Sequence, residues 1–133
     1  MGSGIILLDT QILIWLLIAP ENLAPKAKKA ILAARKSGSL ALSAISLWEM
    51  AWLAQNKRID VDVSVDSFVK KRASFVEVLP VTREIAVRSA QFPESYPNNP
   101  QDRIIGATAL VEGIRLSTHD KLIVNSGLIP LAE

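Results

Sequence analysis

The sequence predicts an α/β fold in which helices cover a mainly parallel sheet. Short apolar runs alternate along the chain with longer segments that carry helix-capping residues. The run Gly4–Leu8 is wholly apolar, as is typical of a parallel strand buried on both faces. Strands that alternate with helices indicate a parallel sheet. Half of the 133 residues are hydrophobic and 21% are charged, which argues against disorder and suits one domain over residues 1–133.

Five apolar segments are predicted to form strands. They are Gly4–Leu8, Leu40–Leu42, Phe75–Leu79, Ile114–Ser117 and Leu128–Leu131. The last of them follows the turn-forming sequence Asn125-Ser126-Gly127. Met1-Gly2-Ser3-Gly4 is typical of a leader added for expression, so we expect it to contribute nothing to the fold.

Six segments are predicted to form helices, most of them started by a capping residue or a proline. They are Gln11–Ile18, Pro25–Lys36, a segment from Ser43 or Ser46 to about Asn56, Val65–Ala73, Arg83–Gln91 and Pro100–Glu112. Pro20 stops the first helix, and Gly113 ends the last one.

The composition excludes several classes of chemistry. The chain has no cysteine, which removes disulfides, thiolate zinc sites and cysteine nucleophiles. His119 is its one histidine, so two-histidine acid–base mechanisms and multi-histidine metal sites are excluded as well. Lysine and arginine number 15 against 13 acidic residues. This small excess permits an anionic partner without proving one.

The most apolar stretch, residues 5–19, has to be judged as a membrane segment. It contains Asp9 and Gln11, and it is shorter than the roughly 20 residues that a bilayer crossing needs. No lysine or arginine precedes it, so the basic start of a signal peptide is missing. We therefore expect a soluble protein of the cytoplasm.

Three aspartates fall where a parallel sheet places functional residues, outside the carboxyl ends of its strands. Asp9 ends the first strand, and Asp102 lies in the first turn of the Pro100 helix. Asp120 follows the strand that ends at Ser117. Each of the three also fits a plain structural role, as a helix cap or as an acid that complements the helix dipole.

Glu49 is the only charged residue from Ala44 to Ala54. Its helix is apolar on nearly every face, so we expect it to be buried. A buried carboxylate is costly unless it is paired or bound to a metal. Both a structural salt bridge and a functional carboxylate fit this pattern, and we favour the functional one.

If these four acids meet in the fold, their chemistry points to a cation. Two carboxylates 4 Å apart repel by about 4 kcal/mol at an effective dielectric of 20. Ligand sets made only of oxygen favour Mg²⁺ or Mn²⁺ over zinc. Such an ion can activate a water and hold a phosphodiester, so no protein nucleophile is required.

Four segments of the chain stand in a distinctive order: Leu7–Thr10, Ser43–Glu49, Asn99–Ala109 and Ser117–Asp120. Together they resemble the PIN-domain family, and within it the VapC-type toxins of prokaryotic toxin–antitoxin pairs. Each segment alone is weakly specific, whereas all four occur here with spacing similar to that of the family. The resemblance runs from about Ile5 to Leu131.

The resemblance implies a three-layer α/β/α sandwich whose acidic pocket binds Mg²⁺ or Mn²⁺ and cleaves RNA. The residues that match the family's four acids, as catalytic and metal-binding groups, are Asp9, Glu49, Asp102 and Asp120. The implied function is an endoribonuclease toxin that hydrolyses RNA with a metal-activated water. The implied partners are RNA, a VapB-type antitoxin and a second copy of the chain. A degenerate PIN module that binds a partner without catalysis is the alternative.

Three neighbours of these acids are candidates for supporting roles. Thr10 and Thr118 match hydroxyl residues that flank the first and last acids in the family. The resemblance implies that Thr10 and Thr118 orient a carboxylate or a metal-bound water. Both residues also fit as ordinary helix caps. Arg103, beside Asp102, is expected either to pair with the acids or to meet a phosphate.

Two positions depart from the family pattern. Asn99 stands where relatives often carry an acid, and Gln11 stands where they often carry histidine. Neither is one of the four acids, so activity is not excluded. Metal affinity and substrate preference are the properties that these two residues put in question.

Aromatic and cationic residues outside these segments allow two interpretations each. Trp48 and Trp52 are predicted to lie in the core, with a dimer or antitoxin surface as the alternative. His119 either touches substrate or is a lone exposed side chain. Cationic runs such as Lys26–Lys29 and Lys70–Arg72 either contact phosphates or form solvated helix faces.

Two other classes of α/β protein also place an aspartate after a strand. A phosphotransferase of the haloacid-dehalogenase type needs a second acid two residues after Asp9, and Gln11 occupies that position. A receiver domain needs its aspartate after a central strand, and none directly follows Phe75–Leu79. The sequence therefore disfavours both classes.

Overall fold

The centre of the molecule is a parallel sheet, seen in a computed structural model that describes residues 4–132. Within this range it has four strands: β1 (Ile6–Leu8), β2 (Leu40–Ser43), β3 (Glu77–Leu79) and β4 (Arg115–Ser117). Their order is β3-β2-β1-β4, and all neighbours run parallel. The central strand β1 is in register with both sides, since Leu7 pairs with Ala41 and with Leu116.

Helices follow the strands in the order that the sequence predicts, with one helix more at the C-terminal end. Within residues 4–132 they are α1 (Thr10–Ile18), α2 (Pro25–Lys36), α3 (Ala44–Gln55), α4 (Val65–Ala73), α5 (Arg83–Ala90), α6 (Pro100–Glu112) and α7 (Lys121–Ser126). A short 3-10 turn, Pro20–Asn22, separates the first two. Side-chain oxygens start several of them, as Ser43 does for α3 by accepting a bond from the Ile45 N–H.

Alternating side chains of the sheet divide the core into two layers. Ile6 and Leu8 of β1 pack with residues of α1, α2, α3 and α4 on one face. Leu7 points to the other face, where it packs with residues of α6 and α7. Because a strand places successive side chains on opposite faces, one apolar strand serves both layers. The predicted three-layer α/β/α sandwich with a parallel sheet is confirmed.

The C-terminal part of the chain differs from the prediction. The strand expected over Leu128–Leu131 is reduced to a single parallel bridge between Leu131 and Leu116. Pro130 has no N–H to donate, so the pairing cannot extend into a regular ladder. The sequence predicts only a turn at Asn125-Ser126-Gly127, whereas residues 121–126 form the six-residue helix α7.

The predicted leader includes Met1, Gly2 and Ser3, which lie outside the described residues together with Glu133. Gly4 is described and is exposed. None of the helices in residues 4–132 has the length and apolar character needed to span a bilayer.

Tyr96 packs against α6 so closely that it requires a glycine there. Its ring meets the Phe92 ring edge-on, with centroids 4.7 Å apart, and its hydroxyl donates to the Asp102 carbonyl at 3.1 Å. A Cβ at Gly106 would collide with the Tyr96 hydroxyl and lie 3.1 Å from the Phe92 ring. The absent side chain at position 106 therefore lets the loop 92–98 lie against the turn of α6 that carries Asp102.

Gly106→Ala should lower the free energy of unfolding by about 1–2 kcal/mol, because overpacking outweighs the roughly 1 kcal/mol that alanine contributes as a helix former. In a Tyr96→Phe background the hydroxyl is gone, so the cost should be smaller. Urea unfolding of the four proteins measures this difference as a double-mutant cycle. An equal cost in both backgrounds would show that the hydroxyl is not the obstacle.

Candidate active site

Asp9 leaves β1 at the carboxyl edge of the sheet and caps α1. Its N–H donates to the Ser117 carbonyl at 3.0 Å, which ties the end of β1 to the end of β4. Its Oδ1 accepts from the Thr10 N–H at 2.9 Å, and its Oδ2 accepts from the Thr118 hydroxyl at 2.7 Å. The residue is only 7% exposed. Asp9 is therefore a largely buried carboxylate with both oxygens held in place.

Glu49 joins this edge from α3. The Thr10 hydroxyl donates to Glu49 Oε1 at 2.6 Å and lies 2.7 Å from the Ser46 hydroxyl. Thr10 thus donates its N–H to Asp9 and its hydroxyl to Glu49, so one residue connects two of the four acids. The arrangement holds α1 and α3 together at the start of both helices.

Ser46 is the member of this group that sequence analysis did not recognise. The sequence offers Ser46 as a possible cap of α3, whereas Ser43 caps the helix and Ser46 is fully buried against Thr10. Its position three residues before Glu49 was the available signal, because residues i and i+3 share a helix face.

Asp102 lies in the first turn of α6, which Asn99 caps. Asn99 Oδ1 accepts from the N–H groups of Gln101 and Asp102, at 2.9 and 3.3 Å. The departure from the family at position 99 therefore has a structural function here, since asparagine supplies the cap oxygen that an aspartate would also supply.

Asp120 caps α7, the helix that was not predicted. Its Oδ1 accepts from the N–H groups of Leu122 and Ile123, at 2.8 and 3.3 Å. Its own N–H donates to the Thr118 hydroxyl at 3.1 Å, and the same hydroxyl donates to Asp9. Thr118 thus connects the first and last acids, as Thr10 connects Asp9 with Glu49.

The four carboxyl groups are close enough to repel one another. Burial raises the pKa of the Asp102 carboxyl to about 7. Repulsion from Asp9, Asp120 and Glu49, in falling order, adds to this pKa shift. No hydrogen bond or cation among the described residues opposes it. The structure therefore places all four predicted acids at one edge of the sheet.

Hydrogen bonds moderate the same effect at the other two buried acids. Burial raises the pKa of Asp9, against the hydrogen bonds from Thr118 and Thr10. Burial also raises the pKa of Glu49, with repulsion from Asp9 adding and the Thr10 hydroxyl opposing. Hydroxyl donors thus stabilise charge that burial would otherwise remove.

No set of three acidic or histidine side chains in residues 4–132 is arranged as a ready ligand shell for a metal ion. An ion would have to bring the carboxylates closer together than they lie here. Metal binding by the four acids therefore stays a prediction.

Arg103 has a structural role that differs from both alternatives drawn from the sequence. Its Nε donates to the Pro97 carbonyl at 2.8 Å, and its Nη1 donates to the Phe92 carbonyl at 2.9 Å. Its Nη2 donates to the Pro93 carbonyl at 3.0 Å. The planar fork of guanidinium donors fits several carbonyls at once. Arg103 therefore holds the loop 92–98 on α6 and does not pair with the acids.

The prediction that Trp48 and Trp52 lie in the core is wrong. Trp48 is 52% exposed and Trp52 is 41% exposed. The buried residues of α3 are Ser46, Met50 and Ala54, which follow one another at every fourth position. A helix that is apolar all round does not reveal which face it buries, and the tryptophans occupy the opposite one.

Fold and site together define a parallel α/β domain with an acidic site at the carboxyl edge of its sheet. The PIN domain family matches residues 6–125, a range that contains all four acids. Ribonuclease VapC22 of Mycobacterium tuberculosis is 36% identical over 116 residues, which make up 87% of this chain and 87% of that protein. The chain therefore belongs to the PIN-domain family, within its VapC group.

Solved structures share the same architecture. VapBC2 from Rickettsia felis, bound to a DNA fragment from its promoter, has a TM-score of 0.72 at 16% identity and covers 96% of this chain and 97% of its own. DNA-bound VapBC from Salmonella typhimurium has a TM-score of 0.72 at 20% identity, with 96% of each chain covered. At such identities the likeness shows the fold alone.

The wild-type protein should lose stability as the pH rises from about 4 to above 7. A carboxyl whose folded pKa is raised from 3.8 to about 7 stabilises the fold below its unfolded pKa, and this contribution is lost as the pH rises through the folded value. Asp102→Asn removes the contribution of this group, so at pH 8 it should raise the free energy of unfolding by about 1–2 kcal/mol after allowance for solvent screening. The raised pKa values of Asp9 and Glu49 should keep a smaller pH dependence of the same sign.

Urea unfolding at pH 5 and pH 8, both in EDTA, measures this pH dependence. Asp62→Asn, at an exposed position outside the site, is the matched control and should keep the wild-type profile. If Asp102→Asn retained the wild-type loss of stability between the two pH values, Asp102 would not be its source.

Proposed function

We propose that this protein is a cytoplasmic, metal-dependent endoribonuclease that acts as the toxin of a toxin–antitoxin pair. The observation that carries the proposal is the set of four carboxyl groups at one edge of the sheet, where burial raises the pKa of Asp102 to about 7 and repulsion from the other three acids adds to the rise. Such a set favours a divalent cation, because a cation relieves the repulsion. The 36% identity to a protein named Ribonuclease VapC22 supports RNA as the substrate.

The donor chemistry of this edge fits Mg²⁺ or Mn²⁺. The residues that would hold the ion are Asp9, Glu49, Asp102 and Asp120. All of their donors are carboxylate oxygens, which hard divalent cations prefer. When bound, such an ion lowers the pKa of a water and neutralises charge on a phosphodiester.

The chain's own residues fix the geometry on which this chemistry depends. Thr118 holds one oxygen of Asp9, and Thr10 holds one oxygen of Glu49. The α7 cap holds Asp120 Oδ1. Each of these oxygens keeps further lone-pair capacity, because a carboxylate offers about four acceptor positions. The hydroxyls therefore orient ligands without using them up.

Purified protein should cut single-stranded RNA in Mg²⁺ or Mn²⁺ and stop when EDTA is added. Asp9→Asn, Glu49→Gln, Asp102→Asn and Asp120→Asn should each reduce the cleavage rate by at least about 100-fold, since each loses a charged ligand. Gel analysis of labelled RNA measures the rates, with circular dichroism to show that each variant is folded.

Glu112→Gln is the control for these substitutions, because Glu112 is exposed at the far end of α6. It should cut RNA at the wild-type rate. Carboxylate variants that cut as fast as the wild type would overturn the site assignment. A folded wild type that is inert on every RNA tested would overturn the catalytic proposal and leave a PIN module that only binds a partner.

The toxin role implies a protein partner, which we propose to be a VapB-type antitoxin. The Rickettsia felis and Salmonella typhimurium structures are VapBC complexes, which supports this partner class. Expression of this chain alone should arrest bacterial growth, and co-expression of an antitoxin from an adjacent reading frame should restore it. Asp102→Asn is the control and should not arrest growth. Normal growth during expression of folded wild-type chain would contradict the toxin role.

We also propose that the chain forms a homodimer through the exposed face of α3. Trp48 and Trp52 lie on that face, and aromatic side chains are enriched at interfaces. Sedimentation velocity should give twice the monomer mass, and the double variant Trp48→Ser, Trp52→Ser should give one monomer mass. Val87→Ser, a change of another exposed apolar residue, should leave the dimer intact. A monomeric wild type would exclude the dimer.

A further inference from the structure

A groove lies beside the acidic site, between the start of α2 and the segment that joins β4 to α7. It encloses about 320 Å³. Ile12 and Leu23 form part of its apolar wall, and two aromatic rings, Trp15 and His119, stand side by side in it. Asn22 and Lys26 supply polar groups. None of these six residues is one of the four acids or donates a hydrogen bond to them.

The groove and the acidic site share a wall. Thr118 lines the groove, and its hydroxyl donates to Asp9 Oδ2 at 2.7 Å. Ser117 also lines it, and its carbonyl accepts the Asp9 N–H at 3.0 Å. A molecule in the groove is therefore separated from the carboxylates by the residues that hold Asp9.

We propose that this groove binds the nucleobase of an RNA nucleotide next to the bond that is cut, an inference that rests on the proposed nuclease function. The ring centroids of Trp15 and His119 are 4.4 Å apart, with their planes at 51°. The His119 side chain is exposed, so its ring can receive a stacked base. Stacking on aromatic rings is the common way in which proteins bind unpaired bases.

The charges around the groove fit a nucleotide. Lys26 lines it, and Lys26 and Lys29 together line the adjoining surface of α2. A row of cations beside aromatic rings is the pattern of single-strand binding sites, in which cations follow the phosphates and rings hold the bases. The Asn22 amide carries both donor and acceptor atoms for a base edge. The volume is at the small end of ligand pockets, as suits one base.

The test follows the indole N–H signals of the uniformly ¹⁵N-labelled wild-type chain in EDTA, where the proposed nuclease is inactive. The three tryptophan signals are assigned with the Trp48→Phe and Trp52→Phe variants. AMP and UMP should shift the Trp15 signal in a saturable way and leave the signals of Trp48 and Trp52 in place. Ribose 5-phosphate, which has no base, should leave all three signals unchanged.

His119→Ala should weaken nucleotide binding at least about fivefold, because it removes a stacking ring. Lys70→Ala, which removes a cation of α4, should leave nucleotide binding unchanged.

Three results would overturn the proposal. An equal shift with ribose 5-phosphate would show a phosphate site without base binding. The absence of a saturable shift with either nucleotide would show that the groove does not bind a base, and a protein segment would then be the occupant to test. Unchanged affinity in folded His119→Ala would remove the stacking role. Nucleotide binding in a protein that cuts no RNA would refute only the nuclease function, and RNA cutting without nucleotide binding would refute only the groove.

Discussion

Four carboxyl groups share the carboxyl edge of the sheet, and the fold has to balance their repulsion. The parallel register creates the problem, because it brings the ends of β1, β2 and β4 to one edge where α1, α3 and α7 begin. The same register supplies a remedy. Helix starts present unpaired N–H groups, and Asp9 and Asp120 accept bonds from them as N-caps. The helix N–H groups thus stabilise part of the negative charge at this edge of the sheet.

Two threonine hydroxyls complete this balance. The Thr10 hydroxyl donates to Glu49, and the Thr118 hydroxyl donates to Asp9, which also caps α1. Asp102 receives no such compensation within the described residues, and its pKa rises to about 7. Burial is the larger cause of this rise, and repulsion from the other three acids adds to it. A divalent ion bound at this edge would neutralise part of the negative charge that the free protein leaves uncompensated. Cation binding would therefore stabilise the fold.

Much of the fold could be predicted from the sequence because its signals are local. Wholly apolar runs mark the buried strands, and prolines and caps mark where α2 and α6 begin. The exposed face of α3 could not be predicted, because Trp48 and Trp52 are as apolar as Met50 and Ala54, which α3 buries. The helix α7 was missed because it is six residues long, too short for a helical pattern to develop.

The candidate site could likewise be predicted from the sequence only in part. Asp9, Asp102 and Asp120 could be found because each follows a strand or opens a helix, and Glu49 because it is the one charge in an apolar helix. The contact between Ser46 and Thr10 could not be found, since the two residues lie 36 positions apart and only folding brings their hydroxyls together. The role of Arg103 depends on backbone carbonyls of the loop 92–98, which every residue type carries.

Arg103, Tyr96 and Asn99 show how the fold positions Asp102 without contacting its carboxylate. Asn99 fixes the backbone of the first turn of α6, and the Tyr96 hydroxyl donates a hydrogen bond to the Asp102 carbonyl. Arg103 then fastens the loop that carries Tyr96. The backbone of Asp102 is thus held from three sides, while its side chain is left without a hydrogen-bond donor among the described residues. Of the four acids it is the one that an approaching cation can reorient without first breaking a bond, so the least stabilised carboxylate is also the one best placed to respond to a ligand.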